Sequence, residues 1–123
     1  MTILVAYSSF HIGTRIINRL LRFPQVELVG LAREADKAVL LTSLRKPRLV
    51  IAGLLLASGT GLDVLRKVKS LPFRPLVIMT SDSSFPQDHR ECMKEGADYF
   101  FHLPGQIDDL EGIVRQLAGV ESE

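Results

Sequence analysis

Short apolar runs alternate with longer stretches of helical period along the whole chain. Runs at 3–6, 26–31, 49–56 and 76–79, with a weaker one at 99–101, predict five strands. Between the first two, Ile12, Ile16 and Leu20, joined by Ile17 and Leu21, recur every four residues and mark one face of a helix. The other face of that helix carries Arg15, Arg19 and Arg22. Further helices are expected over 34–44, 62–68, 87–95 and 107–117. Gly96 stands where a helix C-terminus takes glycine, and Asp108, Asp109 and Glu111 suit the first turn of the last helix. The central runs are apolar almost throughout rather than alternating, as in strands buried on both faces. Strand–helix repeats of this length imply a doubly wound α/β sandwich with a parallel sheet and right-handed crossovers.

At 123 residues and 46% hydrophobic composition, the chain has material for one core and one domain, placed at 1–119, with 120–123 as a frayed tail. No apolar run reaches the roughly 18 residues that span a bilayer, and no secretory signal pattern opens the chain. Cys92 stands alone, which excludes an internal disulfide and fits a cytoplasmic setting. A net charge of +1 gives no general attraction to nucleic acid or membrane. His11, His89 and His102 show no metal-ligand spacing with Cys92.

In an open α/β sheet the functional crevice lies beyond the carboxyl ends of the strands. The residues expected there are Tyr7, Ser8 and Ser9, then Gly53 to Thr60, Thr80 to Asp82, and His102 to Pro104. Several strings around them are distinctive: Lys46-Pro47-Arg48-Leu49-Val50, Gly61-Leu62-Asp63-Val64-Leu65, Pro75-Leu76-Val77-Ile78-Met79-Thr80-Ser81 and Gly96-Ala97-Asp98-Tyr99-Phe100-Phe101. In order and spacing, over nearly the whole chain, they resemble the receiver domain of bacterial two-component response regulators. The resemblance implies a flavodoxin-like fold of CheY type with strand order 2-1-3-4-5.

The departures from that pattern fall on the reactive positions. Where receivers carry two adjacent Mg²⁺-binding acids after the first strand, this chain has Tyr7 and Ser8. The phosphoacceptor aspartate is matched by Gly53, and the phosphoryl-pairing lysine by Leu103. The hydroxyl residue after the fourth strand is kept as Thr80, and Phe100 fills the aromatic switch position. Mg²⁺ favours carboxylate and other hard oxygen ligands, and positions 7, 8 and 53 supply no carboxylate. Without those acids a crevice lysine would be a charge lacking its partner, a cost that leucine removes.

The expected function is therefore that of a degenerate, phosphorylation-independent receiver, not an enzyme, without Mg²⁺ or any other cofactor. It would act through a protein partner: a sensor kinase, another receiver or a transcription regulator. The surface of fourth helix, fifth strand and fifth helix, with Tyr99, Phe100 and Phe101, is the candidate for docking or homodimerisation. With no output domain, the chain reads as a stand-alone receiver or the N-terminal fragment of a larger regulator.

Other readings are weaker. Asp82 or Asp63 could substitute as phosphoacceptor, although phosphoryl transfer needs positioning and charge neutralisation together. Ser8, Ser9, His11 and His102 could form a nucleophile and base, but Ser8 or Ser9 fits a helix cap better. Ser58-Gly59-Thr60-Gly61 could cradle an anion or nucleotide, and lacks the lysine and spacing of a P-loop. The arginine stripe could meet an acidic helix, with a solvated face as the simpler reading. Arg45, Lys46 and Arg48 read as a charged turn.

Overall fold

The structure, a computed structural model, describes residues 1–82 and 85–119. The tail expected at 120–123 lies outside them. The elements run β1 (Thr2–Ala6), α1 (Phe10–Leu20), β2 (Glu27–Ala32), α2 (Ala35–Arg45), β3 (Leu49–Gly53), α3 (Gly61–Lys69), β4 (Leu76–Ser81), α4 (Pro86–Lys94), β5 (Tyr99–His102) and α5 (Ile107–Leu117). All neighbouring strands pair parallel in the order β2-β1-β3-β4-β5. This is the five-stranded flavodoxin-like arrangement that the alternating runs and the resemblance imply.

Alternation along the strands divides the core in two. On one face Ile3, Val5, Leu49, Ile51 and Ile78 pack against Ile16, Ile17 and Leu20 of α1 and Leu110 and Val114 of α5. On the other, Leu4, Val50, Val77 and Met79 pack against Ala38 of α2, Val64 and Leu65 of α3 and Cys92 of α4. Both faces being covered is why the central strands are apolar at nearly every position.

Two expectations need correction. The run over 49–56 is not one strand: β3 ends at Gly53, and the Leu54 N–H makes one more bond, to the Thr80 carbonyl at 3.1 Å, before the chain turns. Leu54 and Leu56 pack half-buried under the second cluster while Leu55 is 75% exposed, so apolarity outlasts the sheet. Ile12 in α1 and Leu21, its C-cap, are about half exposed rather than part of the buried face. Gly96, with φ of 105°, follows α4 as expected.

Candidate functional site

Strand alternation puts Tyr7, Gly53, Thr80 and Leu103 on the α1/α5 side of the sheet, continuing the rows Ile3–Val5, Leu49–Ile51, Ile78 and Phe101. Gly53 pairs with Thr80 across β3 and β4. Sequence reasoning thus brings together four residues that the fold does collect at the carboxyl edge. Ser8, one residue further, leaves the sheet and is half-buried.

Tyr7 dominates the geometry. It is buried, its N–H bonds the Ala32 carbonyl at 2.9 Å, and its side chain extends over β3 to β4. A Cβ placed on Gly53 would lie 3.1 Å from Tyr7 Cε1 and 3.3 Å from Cδ1, so the ring packs tightly over residue 53 and leaves little room for a side chain there. Beyond Gly53 the phenol oxygen is hydrogen-bonded to Thr80 Oγ1. Thr80 in turn donates to the Ala52 carbonyl at 3.4 Å, which makes the Tyr7 O–H the donor to Thr80. The chain of bonds therefore ties β1 to β4 and back to β3. Burial raises the Tyr7 pKa well above its usual value; the Thr80 bond opposes this and the charge of Asp82 adds to it. The phenol is neutral at any physiological pH. Leu103 is buried in the same apolar cluster, with its N–H on the Ser81 carbonyl at 2.9 Å.

The loops around the crevice are joined to one another. Arg33 Nε donates to the Ser8 carbonyl at 2.9 Å, so a guanidinium rests on the turn after β1. The Ala57 N–H bonds the Arg33 carbonyl at 2.8 Å and the Ala35 N–H bonds the Ser58 carbonyl at 2.8 Å. Ser9 caps α1 through the Ile12 N–H at 3.3 Å, and Thr60 caps α3 through the Asp63 N–H at 3.2 Å. The Gly61 N–H is taken by the Leu54 carbonyl at 2.8 Å. Any side chain at 61 would strike the Gly53 carbonyl oxygen, 2.1 Å from its Cβ. Within 58–61, the Thr60 side chain and the Gly61 N–H thus serve the start of α3. No hydrogen bond joins Ser8 or Ser9 to His11 or His102 among the described residues.

The donors offered by positions 7, 8 and 53 do not fit Mg²⁺: a phenol already bonded to Thr80, a serine and a glycine. Among the described residues no three His, Cys, Asp or Glu side chains gather as a metal site. Asp82 is exposed past β4, and Asp63 lies 3.6 Å from Arg66 on α3.

On β5, Tyr99 and Phe101 share one side, their rings stacked at 6.4 Å, while Phe100 on the other side stacks on His89 of α4 at 4.7 Å. Phe101 is buried; Tyr99 and Phe100 are half-buried. Phe85, the N-cap of α4, and Met93 within it are exposed apolar side chains. The arginine stripe of α1 has a role that the sequence did not reveal. Arg19 reaches α5, its Nη2 2.6 Å from Asp108 and its Nε 2.8 Å from Glu111, whose side chain is nearly buried. The acidic helix it meets belongs to its own chain.

No family model matches the chain. Two-component response regulator ARR6 of Arabidopsis thaliana is 31% identical over 95% of this chain and 69% of its own length. ARR7 of the same plant is 35% identical over 63% of this chain and 39% of its own. These relatives are plant proteins and lend no support to a bacterial origin. Among solved structures, the receiver domain of NarL from Mycobacterium tuberculosis superposes with a TM-score of 0.86 at 18% identity, covering 95% of this chain and 94% of that one. The response regulator domain of Thermotoga maritima CheB gives 0.86 at 19%, covering 97% and 96%. A chain of the CheX–CheY–BeF3–Mg complex from Borrelia burgdorferi superposes at 0.85 and 16%, covering 95% and 88%. Fold, strand order and sequence together place the chain among the two-component response regulators, as a receiver domain.

Proposed function

We propose that this receiver works without phosphorylation and without Mg²⁺, as a non-catalytic module read by other proteins. The observation that carries the proposal is the Tyr7 ring lying against Gly53: the phosphoacceptor position has no side chain, and the space above it is filled. The remaining positions agree, with Ser8 in place of an acid and Leu103, buried and apolar, in place of a lysine. Asp82 is exposed, and neither a lysine nor a second acid at positions 7, 8, 53 or 103 accompanies it to neutralise or orient a phosphoryl group.

An ordinary receiver is a two-state element biased by its phosphoryl group. With that bias gone, partner binding is what remains to select a state. The partner would be a sensor kinase, another receiver or a transcription regulator, engaged through α4, β5 and α5. That surface offers Phe85, Met93 and the half-buried Tyr99 and Phe100, with homodimerisation through it as one form of the same contact. An anionic ligand in the neutralised crevice is disfavoured because Tyr7 occupies the space.

Beryllofluoride with Mg²⁺, followed by melting temperature, tests the proposal. An unchanged melting temperature is expected. A saturable rise would show that another residue, Asp82 first among them, has rebuilt the phosphoryl site.

A further inference from the structure

The crevice is filled and also tied, and the tie runs to one edge of the fold. Tyr7 comes from β1, Gly53 from β3 and Thr80 from β4, so a single side chain spans three adjacent strands. Its ring lies on the strand between, and its hydroxyl ends on Thr80, which is almost fully buried. Two backbone bonds next to Thr80 hold the carboxyl edge together: Leu54 N–H to the Thr80 carbonyl, and Leu103 N–H to the Ser81 carbonyl. The first anchors the β3–α3 loop to β4, and the second anchors the end of β5 to β4. A displacement of Thr80 must therefore move both loops and the start of the segment leading to α4.

We infer that Tyr7 is a positioning residue that latches the carboxyl end of β4 from within, so that this receiver holds one arrangement of its strand ends by a hydrogen bond of its own. The inference rests on the proposal that the crevice takes no phosphoryl group, and adds what stands there instead. A hydroxyl that reaches Thr80 from the end of β1, across β3, gives the end of β4 a fixed partner that needs no added group. Burial of the phenol keeps it protonated and keeps water from competing for the bond.

Two nearly isosteric substitutions cut the latch from either end while keeping its shape: Tyr7→Phe and Thr80→Val. Amide hydrogen exchange on the intact chain is the readout, at Leu54 and Leu103 beside the latch. Asp98, whose N–H bonds the Val77 carbonyl at 3.0 Å at the opposite end of the sheet, is the control. In Tyr7→Phe, exchange at Leu54 and Leu103 should speed up about tenfold relative to Asp98, the scale of one lost buried hydrogen bond. Thr80→Val should do the same, and the double variant should add little to either. Rates at Leu54 and Leu103 matching the wild type, or acceleration equal at all three amides, would overturn the latch. Beryllofluoride with Mg²⁺ on the wild type separates the two claims: a response there refutes the proposed function, whereas the exchange pattern in Tyr7→Phe judges the latch alone.

Discussion

Tyr7 and Gly53 exchange volume across the carboxyl edge of the sheet, and the exchange can be measured. Gly53→Ala adds a methyl 3.1 Å from Tyr7 Cε1, which obliges the ring to shift. In the wild type that overpacking, about 1–3 kcal/mol, offsets the roughly 0.5–1 kcal/mol that alanine gains over glycine in a strand. In a Tyr7→Val background the space is vacant and only the gain remains. Urea unfolding of the four proteins should therefore give a coupling of about 1–3 kcal/mol, and simple additivity would mean that the ring does not rest on residue 53. Cys92 provides a second test at this scale. Burial pushes its thiol up to about 11, with Asp88 and Glu91 adding to the effect. Because the folded value lies above the unfolded one, its contribution to stability is complete below the ordinary thiol range and is lost as pH rises toward 11. Replacing it with serine or alanine should flatten the alkaline fall in stability over that window, as seen in denaturant midpoints. An unchanged pH slope would mean that the thiol titrates freely in the folded protein.

At the scale of elements, α1 and α5 are joined by charge as well as by apolar packing. Arg19 holds Asp108 and Glu111, and both bonds raise its affinity for its proton. Arg15 is exposed on the same helix. Arg19→Ala should lower the melting temperature more than Arg15→Ala does, because Glu111 is nearly buried and loses its cation. Added salt should narrow the gap only in part, since Asp108 is screened and Glu111 is shielded. Equal effects of the two substitutions would contradict the clamp. The elements themselves were largely legible in the sequence, because strands buried on both faces leave unbroken apolar runs and Gly96 marks a helix end. The end of β3 was not: Leu54 to Leu56 stay apolar, and only the turn at Gly61 against the Gly53 carbonyl shows where the sheet stops. The Arg19 clamp was hidden for a related reason. Arginines spaced along one helix read as a solvated face until the fold brings α5 beside them.

For the whole molecule, the sheet order and the sequence relationship establish a receiver, and the proposal of a phosphorylation-independent one rests on the crevice. Tyr7, Ser8, Gly53 and Leu103, at the positions matched to the receiver acids and lysine, could be read from the sequence one at a time. That Tyr7 covers Gly53 and bonds Thr80 was not, since it depends on strand register and on the direction of one buried ring. The pairing of a large residue at 7 with none at 53 was the available signal. In the proposed function, filling the crevice and leaving it uncharged act together: the ring would exclude a phosphoryl group, and an apolar Leu103 needs no counter-ion. Incubation of the intact chain with acetyl phosphate and Mg²⁺, followed by intact-mass measurement, tests this most directly. No phosphoryl adduct is expected, under conditions in which a receiver carrying its aspartate is modified. An adduct that is lost in Asp82→Asn would show a rebuilt phosphoacceptor, and would contradict a receiver that works without phosphorylation.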